Sequence, residues 1–142
     1  MALRPSGSAL WQPVLDGLNK LKGQWPARGW SWDSRLICIT SSFHMDHASK
    51  ARAAALETLQ TEWTAATIGS APPRVREFIE RTGGLRSGQF VLATQPVGGL
   101  VAFGLWWPWN DNDTISFRVG FLDVDANEEP YPTLRDLYGV TL

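Results

Sequence analysis

The chain has a single cysteine, Cys38, in 142 residues. An internal disulfide is excluded, and a reducing, cytoplasmic setting is the expectation. Cys38 also lies in the most hydrophobic run, Leu36-Ile37-Cys38-Ile39, where a thiol acts as a small apolar side chain. Only two histidines occur, His44 and His47, so no site built from three imidazoles exists. No apolar run approaches the length of about 18 residues that a membrane-spanning helix needs. Near the N-terminus Pro13 and Asp16 break the only stretch with a leader-like apolar character, so no signal peptide is expected. The net charge is −1. Such a balance gives little general attraction to nucleic acid or an anionic membrane, and neither is expected as a partner. Glycine-rich phosphate loops and the G-x-S-x-G turn of serine hydrolases are absent, as are internal repeats. No cofactor is implied.

What remains is an ordinary globular composition, 44% hydrophobic and 19% charged. The length suits one domain, residues 1–142, that buries roughly 68–70% of its unfolded surface. The charge is uneven. Residues 1–86 hold 11 basic and 7 acidic side chains, and residues 87–142 hold 2 basic and 7 acidic. Tryptophan is the outlier, with eight.

Periodicity divides the chain. A loose tail is expected over residues 1–8. Leu10, Trp11, Val14, Leu15, Leu18 and Leu21 recur at helical spacing and predict a helix over about 10–22, starting near Trp11 so that Pro13 falls in its first turn. Trp30-Ser31-Trp32 suits a short strand. A strand follows over 35–41, whose unbroken apolar run suggests burial on both faces. Ala-rich sequence with Leu56, Leu59 and Trp63 predicts a helix over 46–64, capped by Ser42 or Asp46. Pro72-Pro73 opens a third helix, ending at Gly83-Gly84, with Val75, Phe78 and Ile79 on one face. Strands over about 89–95, 100–107 and 114–122 are joined by short turns and form an antiparallel meander. The acidic segment 123–142 reads as irregular, with a short helix near Thr133 in which Asp136 makes a capping-box-like pair. The expected fold is α+β: one mostly antiparallel sheet of four or five strands, with helices packed on one face. Whether the strand at 35–41 is central or at an edge is left open.

The stretch Ile39 to His47 resembles part of the metal signature of metallo-β-lactamase-fold hydrolases, a hydrophobic strand followed by H-x-H-x-D-H. Here Ser42 stands at the first histidine and no histidine follows His47. The resemblance implies metal-assisted hydrolysis through His44, Asp46 and His47, two imidazoles and a carboxylate being the smallest set for an open zinc site. The competing reading makes the same residues a strand-to-helix junction. A second segment, Leu56 to Leu59, Ile68 to Ile79 and Gly83-Gly84, resembles the opening of SUKH-type immunity proteins. Ala71-Pro72-Pro73 stands here for their Leu-Pro pair and Thr82-Gly83-Gly84 for their Asn-Gly-Gly. That resemblance implies a protein partner.

Other groupings have simpler accounts. Trp109-Asn110-Asp111-Asn112-Asp113 has the oxygen spacing of a calcium loop but lacks its glycine and distal glutamate, and suits a hairpin turn. Asp123 and Asp125 share a strand face as a carboxylate pair. Arg74, Arg76, Arg81 and Arg86 crowd the third helix as a candidate anion patch. Trp106 and Trp107, adjacent on a strand, must point to opposite faces. One indole therefore stands beside Ser116 and Arg118, and Trp and Arg are the types that dominate binding hot spots. The expected function is non-catalytic binding of another protein, or self-association, through Trp106, Trp107, Trp109, Arg118, Ser116, Trp30 and Trp32. The alternative is a small-molecule-binding domain or metal-assisted hydrolase using His44, Asp46 and His47.

Overall fold

The computed structural model describes residues 7–141. Helix α1 (Gly7–Gln24) buries Val14, Leu15, Leu18 and Leu21 on one stripe. It begins ahead of Trp11 and carries Pro13 inside, so Pro13 is not in its first turn as expected. Of the expected tail, residues 1–6 lie outside the described part, and Gly7 and Ser8 belong to α1. Strand β1 (Ser31–Asp33) leads to β2 (Cys38–His44), which starts later than the expected 35. The reason is local. Asp33 Oδ1 accepts the backbone N–H groups of Arg35 (2.9 Å) and Leu36 (3.1 Å), and Ile37 takes a left-handed φ of 55°. That turn withholds Leu36 and Ile37 from the strand.

The helix expected over 46–64 is three elements: a 3-10 turn at Met45–His47, helix α2 (Ala48–Thr58) and strand β3 (Thr61–Thr64). Neither Ser42 nor Asp46 caps it. His44 closes the 3-10 turn, its Nδ1 accepting the Asp46 N–H at 3.0 Å, and α2 has no side-chain cap. Helix α3 (Pro73–Arg81) buries Val75, Phe78 and Ile79 as read. Strands β4 (Phe90–Ala93), β5 (Ala102–Pro108) and β6 (Thr114–Phe121) form the meander. Helix α4 (Tyr131–Tyr138) starts two residues before Thr133. The Thr133 hydroxyl donates to Glu129 at 2.6 Å, in place of the pairing with Asp136.

The sheet has six strands, not four or five, in the order β1-β2-β6-β5-β4-β3, with every pairing antiparallel. β2 is therefore internal, beside β6. Helices cover both faces, which corrects the one-face expectation. Helices α1, α2 and α4 enclose a core with Ile39, Phe43, Phe90, Trp106 and Phe117. Helix α3 packs on the other face over Cys38, Val91, Phe103 and Leu105, with Phe78 and Phe103 centroids 4.4 Å apart. β4 requires this arrangement: all four of Phe90-Val91-Leu92-Ala93 are buried, and their side chains alternate between the layers.

Tyr131 closes a gap in the sheet. The last β2–β6 pair is Ile39 with Val119, because β2 begins only at Cys38. Two residues on, where Ile37 would face Phe121, the buried Tyr131 hydroxyl bridges instead. It accepts the Phe121 N–H at 2.8 Å and donates to the Ile37 carbonyl at 2.5 Å. Gly120 leaves room: a Cβ there would lie 2.5 Å from the Tyr131 hydroxyl and 2.8 Å from the Phe103 ring. The Tyr138 hydroxyl ties α4 to α1 through the Leu18 carbonyl at 2.5 Å.

Candidate functional site

Strands alternate their side chains, so the face that α3 covers also carries Thr40, Ser42 and His44 from β2, Ser116 and Arg118 from β6, and Trp107 from β5. Toward the hairpin between β5 and β6 this face opens, and Ser42, His44 and Trp109 are exposed there. Trp109 is 51% exposed. Its indole N–H donates to the Ser116 hydroxyl at 2.7 Å, and Ser116 and Ser42 oxygens lie 2.9 Å apart. The ring is thus an exposed plate fixed at one edge.

Beside it the Arg118 guanidinium lies over the Trp107 ring, 4.7 Å from the centroid, and its Nε donates to Asp33 Oδ2 at 3.0 Å. Both side chains of that ion pair are mostly buried. Burial alone would raise the Asp33 carboxyl. The Arg118 hydrogen bond, the Leu36 and Arg35 N–H groups and the guanidinium charge together outweigh it and hold the carboxyl below its ordinary value. Trp107 Nε1 and the Thr40 hydroxyl are buried without a hydrogen-bond partner, and Thr40 is the cross-strand neighbour of Arg118. The patch combines an exposed indole with an oriented cation.

The fold thus brings together Trp107, Trp109, Arg118 and Ser116. Trp106 points the other way, is 5% exposed, and stacks on Phe90 with centroids 5.1 Å apart. Trp30 packs edge-on against Tyr138, and Trp32 against Tyr131 under Arg135, both on the opposite layer. Asp33, Thr40 and Ser42 are the members that sequence reading did not place at this patch. The signal available for Asp33 was its position one step past Trp32 on a strand, which puts it on the face opposite Trp32.

His44, Asp46 and His47 are all exposed. His44 Nδ1 is 3.4 Å from the Asp46 carboxylate and Nε2 is 3.8 Å from Asp113. Among the described residues no group of three or more His, Cys, Asp or Glu side chains is placed to hold a metal ion. Asp111 uses both carboxylate oxygens to close the hairpin turn. Oδ1 accepts the N–H groups of Asp113 and Thr114, each at 2.9 Å, and Oδ2 accepts the Thr114 hydroxyl at 2.7 Å. The Asp113 and Thr114 bonds hold its carboxyl below the ordinary value. Asn112, with φ 59°, completes the turn. Asp123 pairs with Arg74 at 3.1 Å and Arg81 at 3.8 Å, and not with Asp125. Burial pushes the Cys38 thiol far above its usual range, the setting of an inert core side chain. No helix among the described residues is long and apolar enough to cross a membrane. Compared with known proteins, the chain matches no family model, no curated protein and no solved structure.

Proposed function

We propose that the chain is a non-catalytic protein-binding module, of the adaptor or inhibitor kind, that engages its partner through the patch of Trp107, Trp109, Ser116 and Arg118. The observation that carries this is Trp109: an indole 51% exposed yet fixed by Ser116, beside an arginine already stacked on a second indole. Rigid aromatic area next to an oriented guanidinium is the composition of binding hot spots, and fixing the ring beforehand reduces the ordering cost of association.

The experiment places a photoreactive benzoylphenylalanine at the exposed Asn110, next to Trp109, and, as control, at the exposed Ser49 on α2 in cells that make the protein. One dominant cross-linked species is expected from position 110 and not from 49. The isolated partner should bind the wild-type chain at a fixed ratio, with affinity falling about tenfold or more in Trp109→Ala. Light scattering of the purified chain separates self-association, seen as a multiple of 15.8 kDa, from a distinct partner. Equal cross-linking from both positions, or unchanged affinity in Trp109→Ala, refutes the proposal.

A further inference from the structure

The arginines that crowd α3 in sequence are mostly engaged in space. Arg74 is held by Asp123 and the Gly99 carbonyl, Arg81 reaches Asp123, and Arg76 Nε donates to the Ala71 carbonyl at 2.9 Å. Arg86 is the exception: among the described residues its guanidinium makes neither an ion pair nor a hydrogen bond, and only its backbone is bonded, to Gln89. It lines instead a cleft of about 510 Å³ whose other cation is Arg52 from α2, a residue far away in sequence. No carboxylate lines this cleft, and it is backed by Phe90 and Trp106, which stack on each other at 5.1 Å and are 6% and 5% exposed.

Arg52 is held ready. Its Cζ sits 4.6 Å above the Phe90 ring, and Nη2 alone donates to both Glu62 oxygens, at 2.7 and 2.8 Å. A guanidinium has five N–H donors in a fixed fork, so Nε and Nη1 keep their hydrogens for another acceptor. Glu62 cancels one of the two cleft charges and Arg86 remains uncompensated. Clefts that hold small organic ligands run from about 300 to 1,000 Å³ and combine apolar walls with a few convergent polar groups.

We infer that this cleft is a binding site for a small organic anion carrying a flat ring, of the aryl carboxylate or aryl phosphate class. The anionic group sits between Arg52 and Arg86, and the ring lies against the Trp106 and Phe90 wall. The inference does not rest on the protein-binding patch: Phe90 and Trp106 belong to the other layer of the sheet, although Arg86 also borders a small pocket beside Trp107.

Phenyl phosphate and benzoate are the probes, titrated into ¹⁵N-labelled protein while the Trp106 indole and arginine Nε resonances are followed. Saturable millimolar binding is expected, with shifts concentrated at Trp106, Arg52 and Arg86. Inorganic phosphate and benzyl alcohol, each lacking half of the recognised chemistry, should bind about tenfold more weakly or not at all. Arg86→Gln, at an exposed position, should keep the wild-type spectrum and lose about tenfold in affinity for both probes. Absence of a saturable shift, shifts spread over the other arginines, equal binding of benzyl alcohol, equal binding of inorganic phosphate, or an Arg86→Gln variant that binds like wild type would each overturn the assignment.

Discussion

Replacing Tyr131 with Phe tests whether one hydroxyl completes the sheet. The ring stays, with its edge contacts to Trp32 and Phe121 at 5.5 and 5.0 Å, so almost no apolar burial is lost. What disappears is a bridge with two ends. The Phe121 N–H loses its acceptor, and the Ile37 carbonyl loses its donor. An orphaned buried polar group costs about 1–3 kcal/mol. Two orphans, less the benefit of no longer burying a hydroxyl, should lower stability by about 2–4 kcal/mol. At this size that is a fall in Tm of roughly 5–15 °C. Tyr138→Phe is the internal standard, because its hydroxyl serves one acceptor only, the Leu18 carbonyl. It should cost about 1–2 kcal/mol. Urea unfolding followed by tryptophan fluorescence and circular dichroism gives both values. If Tyr131→Phe costs no more than Tyr138→Phe, the bridging argument is wrong, because position 131 would then hold its helix as an ordinary buried tyrosine does.

Three further outcomes are expected. Gly104→Ala should destabilise the protein by about 1–3 kcal/mol in the same assay, since a Cβ there would lie 2.5 Å from the Phe117 ring and 2.8 Å from Leu59; a neutral result would show that this core yields easily. The depressed Asp33 carboxyl contributes stability that is complete above its ordinary value, about 3.9, and is lost as pH falls through the lower folded value. Asp33→Asn should therefore remove part of the acid-side slope of stability against pH, and an identical slope in the variant would contradict the Arg118 pairing. Because His47 does not join His44 and Asp46 in a group of three ligating side chains, EDTA should leave Tm unchanged and His44→Ala should not alter metal content; stoichiometric zinc lost in His44→Ala would restore the hydrolase reading.

The sequence made β6 readable in full. Ile115, Phe117, Val119 and Phe121 alternate with Ser116 and Arg118 as the pleat demands, and each set found its own layer. Trp106 and Trp107 parted to opposite faces for the same reason. β3 was hidden because Leu56, Leu59 and Trp63 fit a helical stripe. In the structure Leu59 belongs to one core and Trp63 packs against the other, and what makes Thr61–Thr64 a strand is pairing with β4, far along the chain. The face taken by α3 was equally illegible from its own pattern. Val75, Phe78 and Ile79 declare an apolar stripe but not which side of the sheet receives it. The clue lay elsewhere, in the unbroken apolar Phe90-Val91-Leu92-Ala93, which needs cover on both sides. At the candidate patch, residue type suggested Trp107, Trp109, Arg118 and Ser116, while Asp33 joined only through the β1–β2–β6 pairing that spans 85 positions to Arg118. The same holds for the cleft that Arg86 lines together with Arg52 rather than with its sequence neighbours on α3.

The strand order also governs when the molecule can form. β2 has two neighbours in the sheet: the three-residue β1, and β6, whose Ser116 meets Ser42 across 74 positions. Closing a loop of that length costs about 4 kcal/mol of chain entropy before any pairing repays it. A chain leaving the ribosome therefore displays the Cys38-Ile39 strand with one edge unmated until nearly all of β6 has been made, and the seam is sealed only when Tyr131 follows. Topologies so rich in distant pairing fold slowly, and their waiting edges attract other chains. The interval between synthesis of residues 44 and 131 is the period in which that edge stands open, and truncation within it should appear as aggregation.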